Sequence, residues 1–247
     1  MRAHRTNVRV IAAVAAMGGL LLGFDTGVIS GAQNFLQDPR GWGVSDGVLE
    51  WITTSVLIGA IIGAAFSGKI TDLAGRRRVV LITAVLFTLG ALFTGAAPSV
   101  ALLVAGRIII GLAIGVASYT VPLYISEISP VRIRGWLVTL NQLMITIGIL
   151  VSYISDYLIA DDANPFSWRW MFYVGVIPSI LLFAGMLFVP ETPRWLIGKG
   201  RLQEGKKVLA RVEDPELVEE SFRNIRKEVE REERTGESYG GNGLEGH

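Results

Sequence analysis

Two ionisable residues stand where ionisable residues are rare. Asp25 sits in LLGFDTGVISGA, inside an apolar run that begins at Val10, and Arg107 interrupts the apolar run VALLVAGRIIIGLAIG. Either charge alone at that depth in a membrane-spanning helix is costly, whereas a pair facing a wet cavity is tolerable. The chemistry such a pair offers is reversible proton binding. Burial favours the neutral carboxyl, and a neighbouring guanidinium favours the ionised one. If the partners separate during a conformational cycle, Asp25 takes up a proton in one state and releases it in another. Arg107, always charged, is then the counter-ion that lets go. The plainer alternative is an ion pair that only holds the helices together.

Other polar residues interrupt the apolar runs. WLVTLNQLMITIG carries Asn141 and Gln142, adjacent amides that both donate and accept. They suit a hydroxyl-rich ligand or, equally, hydrogen bonds between helices. Asp156 lies further along the same run and reads as an interfacial residue. Three short segments place acids beside bases: GKITDLAGRRR with Asp72 and Arg76–Arg78, YISEISPVRIRG with Glu127, Arg132 and Arg134, and PETPRWLIGKGR with Glu191 and Arg194. Three such segments suggest an ion-pair network that ties helix ends together in one state and breaks in another. Orientation of the chain in the bilayer is the simpler use of the same charges.

The elements that must position these groups follow from the apolar runs. Of 247 residues, 51% are hydrophobic and 18% charged, with a mean hydropathy of +0.46. Just over half of the charges crowd into residues 190–247. About 20 apolar residues cross a bilayer as a helix. Six stretches qualify, at 10–33, 51–71, 79–97, 101–124, 136–159 and 168–189. Asp25 lies before the far end of the first span and Arg107 about six residues into the fourth, so the two share a depth in one half of the membrane. Gly59 and Gly63 in span two, and Gly111 and Gly115 in span four, form small-residue faces suited to close packing, or to sliding during a conformational cycle. Residues 190–235 read as charged, helix-compatible segments split at Pro215, with sparse apolar anchors. Residues 236–247 show no periodicity and read as a disordered tail.

Basic residues set the expected direction. Arg2, Arg5 and Arg9, Lys69, Arg76–Arg78, Arg132, Arg134 and the basic end of the chain all fall on one side, with Arg40 and Arg169 opposite. The positive-inside rule makes both termini cytoplasmic. Trp51, Trp136, Trp168 and Trp170 fall near span ends, as interfacial anchors do. The first apolar run follows arginines as a signal peptide does, but it runs too long and carries Asp25, so it reads as a retained span. Absence of cysteine excludes disulfides and thiol chemistry, and the two histidines, His4 and His247, lie at opposite ends, which gives metal binding no support. The net charge of +1 gives no sign of nucleic acid binding. No nucleophile–base cluster or cofactor motif is present, so an enzyme is not expected.

These blocks together carry a resemblance. GFDTGVISGA (23–32), DLAGRRR (72–78), GRIIIGLAIG (106–115), PLYISEISPVRIRG (122–135), NQLMITIG (141–148), WRWMF (168–172) and PETPRWL (190–196) occur in the order found in sugar porters of the major facilitator superfamily. From span one to about residue 230 the chain resembles the amino-terminal half of such a protein, nearest the bacterial proton–sugar symporters. The resemblance implies an all-α membrane protein, a six-transmembrane-helix bundle with short cytoplasmic helices.

It also implies roles. An acid at position 25 is typical of proton-coupled members, with Arg107 as its partner. Gln142 matches a glutamine that contacts sugar in a central cavity, and Asn141 stands beside it. Asp72, Arg76, Glu127, Arg134, Glu191 and Arg194 match a cytoplasmic latch. The expected activity is proton-coupled transport of a hexose or pentose by alternating access, in a cell membrane (a bacterial inner membrane), with monosaccharide and proton as partners and no cofactor. A facilitative uniporter and a non-transporting, sugar-binding membrane protein or sensor are the alternatives. The family's twelve spans place substrate between two six-helix halves. The expected partner is therefore either a carboxy-terminal half or a second copy of this chain.

Overall fold

The computed structural model describes residues 8–241, with side chains described as far as residue 232. His4, His247, Arg2, Arg5 and the end of the glycine-rich tail lie outside the described residues. The described chain is helical, in ten segments: α1 (Val8–Leu36), α2 (Asp46–Ala74), α3 (Arg76–Ala96), α4 (Val100–Ile128), α5 (Arg134–Ile159), α6 (Trp168–Val174), α7 (Val176–Phe188), α8 (Pro193–Gly198), α9 (Leu202–Val212) and α10 (Val218–Gly241). Six helices are long and apolar enough to cross a membrane: α1 to α5, and α6 with α7 taken as one. The sixth span is interrupted at Gly175. Pro178, in the first turn of α7, has no N–H to offer the carbonyl of Val174, which weakens the ladder where the two segments meet.

In lipid, apolar side chains gain little by leaving the solvent, so close backbone approach must hold the spans together. The glycines provide it. Gly59 and Gly63 of α2 face Gly111 and Gly115 of α4, and a methyl group on any of the four would overlap main-chain atoms of the other helix. Gly23 of α1 and Gly148 of α5 make the same contact across the α1–α5 seam. α4 lies at the centre, touching α1, α2, α3 and α5, while α3 also packs on α7. α2 and α5 are the least covered spans and carry much of the exposed apolar surface, including Leu57, Ile61 and Phe66 on α2 and Leu143, Leu150 and Leu158 on α5.

One end of the bundle holds the turns at 37–45, 97–99 and 160–167, and the other holds Gly75, residues 129–133 and α8 to α10. Trp51, Trp136 and Trp170 are exposed near span ends. Trp168 departs from the interfacial expectation: it is 1% exposed, because Trp42 packs at 5.0 Å, Phe172 at 6.3 Å, and the Arg169 guanidinium lies 4.7 Å from its ring. α9 and α10 fold back on α8 around Ile197, Leu209 and Val218, with Phe222, Ile225 and Val229 against them. Pro215 falls in the break between α9 and α10. α10 continues to Gly241, beyond residue 236 where periodicity ends in the sequence. Its run of Glu and Arg is rich in helix formers and includes the Arg226–Glu230 pair one turn apart.

Candidate functional site

α1 turns Asp25 inward beside Phe24 and Val28, and α4 turns Arg107 toward it from beside Leu103. Arg107 donates from Nη1 to Asp25 Oδ1 in a buried ion pair, with the residues 1% and 3% exposed. The Arg107 guanidinium also lies 5.7 Å from the centroid of the Phe172 ring, while its Nε finds no hydrogen-bond partner among the described residues. A guanidinium can grip a carboxylate with two parallel bonds. Here it uses one.

The adjacent amides separate. Gln142 is exposed on the open side of α5. Asn141 turns the other way, against Gly19 of α1, where its Oδ1 is buried without a partner among the described residues. Gln142 belongs to a stripe that also includes Thr139, Thr146, Tyr153 and Tyr157, exposed at helical spacing. α1 presents a matching exposed stripe of Thr26, Ser30, Gln33 and Asn34. Reading the sequence for single polar residues missed these stripes; the three- and four-residue spacing of hydroxyls and amides within apolar runs was the available signal. Thr26, Thr139 and Thr146 hydrogen-bond to carbonyls one turn back, which eases their place in apolar surroundings.

At the opposite end, Arg76 is the hub. It pairs with Asp72 at 3.0 Å and with Glu127 at 3.0 Å, and donates to the Thr71 carbonyl. Glu127 also accepts from the Thr192 hydroxyl at 2.6 Å, joining α2, α3, α4 and the segment before α8. Glu191 enters differently. Its carboxylate accepts from the backbone N–H of Arg77 at 3.1 Å and of Thr192 at 2.9 Å, so it caps the start of α3, where the helix dipole favours an anion. Burial pushes the Glu191 carboxyl above the usual glutamate range, opposed by those two hydrogen bonds and by the Arg76 charge.

Two expected members stand apart from the hub. Arg194 pairs with Glu228 and Glu232 of α10, and Arg134 donates to the Ser129 carbonyl at 3.4 Å. Unforeseen members are Thr192 and Trp195, whose indole N–H donates to the Asp72 carbonyl, while Arg77, part of the expected basic run, donates to the carbonyls of Met186 and Leu187 at the end of α7.

The described residues thus form a bundle of six candidate membrane spans with a buried acid–guanidinium pair beside a polar open face. The chain belongs to the Sugar (and other) transporter family, whose signature matches residues 11–243. It is 43% identical over 213 residues to the galactose-proton symporter of Escherichia coli (strain K12), covering 86% of this chain and 45% of that protein. It is 42% identical over 223 residues to the glucose transporter GlcP of Staphylococcus epidermidis, covering 90% of this chain and 49% of that one. Among solved structures, it resembles the proton:xylose symporter XylE bound to 6-bromo-6-deoxy-D-glucose, with a TM-score of 0.87, 32% identity, and coverage of 95% of this chain and 55% of that one. The inward open conformation of XylE from E. coli aligns with a TM-score of 0.81 at 32% identity, over 90% of this chain and 56% of that one. The chain thus spans about half the length of the relatives it matches.

Proposed function

We propose that this chain forms one six-helix half of a proton-coupled monosaccharide transporter working by alternating access. The buried, singly bonded Asp25–Arg107 pair carries the reading. Protonation of Asp25 removes the charge that holds Arg107, and the guanidinium is then left to the Phe172 ring and to water entering between α1 and α4. Loss of the proton restores the pair. A conformational cycle linked to those two states moves a proton with each substrate passage.

The polar stripes of α1 and α5, with Gln142 at their middle, supply donors and acceptors for sugar hydroxyls. Asn141, turned against α1, helps hold that seam. The substrate cavity is completed by a second six-helix unit, a carboxy-terminal half or another copy, against the uncovered faces of α2 and α5. Both termini face the cytoplasm of a cell membrane, and Asp72, Arg76, Glu127 and Glu191 form the cytoplasmic latch of the outward-facing state. Arg194 fastens α10 to α8, and Arg134 steadies the entry to α5.

The test is labelled-sugar uptake into vesicles, with and without an uncoupler, for the chain alone and with a partner half. Accumulation that collapses with uncoupler and with Asp25→Asn supports symport. Downhill flux untouched by Asp25→Asn indicates a uniporter, and sugar binding without flux in any assembly overturns transport.

A further inference from the structure

The mechanism above leaves one buried acid unused. Asp156, in the last turn of α5, is 4% exposed, and neither carboxylate oxygen has a hydrogen-bond partner among the described residues. It lies against Gly31 of α1, where the missing side chain makes its room: a methyl group there would overlap the carboxylate. The same residue lines a pocket of about 400 Å³ between α1 and α5, at the bundle end where the chain turns after α1. Ser30, Asn34 and Tyr153 give that pocket a polar wall.

The nearby cations are engaged elsewhere, and the pocket's other two acids, Asp38 and Asp162, lie beside Arg40. Arg40 grips Asp38 with two guanidinium nitrogens, holding that carboxyl below the usual range, and also donates to the Asp162 carbonyl. Arg169 of α6 is taken by the Gly95 carbonyl and the rings of Trp42, Phe166 and Trp168. Asp161 accepts from the Ala163 N–H, and Asp46 from Gln37. Asp25, about 9 Å further along α1, is held by Arg107. Tyr153 and Tyr157 add only hydroxyls from its own helix. An ionised Asp156 would be a buried charge with neither donor nor counter-ion among the described residues, a costly arrangement. Among the described residues, no group of three or more acidic or histidine side chains is placed to hold a metal ion there.

We propose that Asp156 is a second proton-binding carboxyl of this chain, loaded when α1 and α5 are packed as here and reached through the pocket between them. It is separate from the Asp25–Arg107 pair and does not rest on that pair's role in coupling. When α1 and α5 part, the carboxyl gains access to pocket water and gives up its proton.

Infrared spectra of the purified chain in lipid, titrated from acid to alkaline, test this. The expected result is a protonated-carboxyl C=O band at neutral pH that survives Asp25→Asn and is lost in Asp156→Asn. On the unmodified chain, a hydrophobic carbodiimide, which adds to protonated carboxyls, should label Asp156 in peptide mass spectra. Labelling should fall as pH rises and should be equal in sodium and choline buffers. A band indifferent to Asp156→Asn, or an unlabelled Asp156, overturns the proposal. Protection by sodium also overturns it, assigning the carboxylate to a metal cation instead. Failure of proton-coupled uptake in Asp25→Asn leaves these readings untouched.

Discussion

Arg107 reaches Asp25 through a single guanidinium nitrogen, Nη1, and a single carboxylate oxygen, Oδ1. The Nε left over is buried and has no acceptor among the described residues. A pair joined at one point is well suited to being parted, and it has apolar walls that penalise leaving either charge alone.

The first prediction follows from that penalty. Asp25→Leu or Arg107→Met alone leaves one buried charge uncompensated and should destabilise the bundle by about 3–5 kcal/mol. The double variant should recover most of that loss. Thermal unfolding of the four proteins in the same detergent checks it, and additive losses would show that the pair is not coupled.

The two amides should behave oppositely. Gln142→Ala removes an exposed group and should leave the melting temperature unchanged while weakening sugar binding about tenfold, or about 1.4 kcal/mol. Asn141→Ala empties a contact with Gly19 and should lower the melting temperature. Parallel melting and sugar-binding titrations in the complete transporter separate the two.

Glu191 gives a pH-dependent prediction. Its carboxyl binds a proton more tightly in the folded chain than in the unfolded one, because burial outweighs the hydrogen bonds and the Arg76 charge. The stability it contributes is therefore full below the ordinary glutamate range and declines as pH rises through the shifted value. Relative to Glu191→Gln, the native protein should lose stability over that rise. A flat difference between the two melting curves across pH would contradict it.

Gly111→Leu sets a side chain against the backbone of α2 at Val56 and Ala60. Overpacking at such a seam costs about 1–3 kcal/mol when neighbours yield, and more against main chain. A large fall in melting temperature is expected, against little change for Gly135→Ala, whose surroundings are open. Comparable losses at both positions would argue against the packed seam.

The span number, the buried pair and the glycine faces were all legible in the sequence, because each breaks or repeats an apolar pattern at a fixed spacing. Asp25 and Arg107 announced themselves as charges without local company. Asp156 did not. Near a span end, a carboxylate reads as a headgroup-level residue, and only the packing of α1 at Gly31 shows it to be enclosed. The partners of Arg194 were hidden for a similar reason: Glu228 and Glu232 lie over thirty residues away, and only the folding back of α10 brings them near. Glu191 kept its expected place but meets main-chain amides at the start of α3 instead of an arginine, a geometry no motif records. Trp168 shares its tripeptide with the exposed Trp170, so only the rotation of α6 distinguishes a buried ring from a surface one.

Arg77 spans from the start of α3 to the carbonyls that end α7. That clasp binds the third and sixth membrane crossings at one end, while the Thr88–Ser179 hydroxyl contact joins them again midway. Spectroscopic probes placed on these two crossings should therefore report a constant separation through a transport cycle. Any rearrangement would be read between this stiff pair and the helices that carry the polar face.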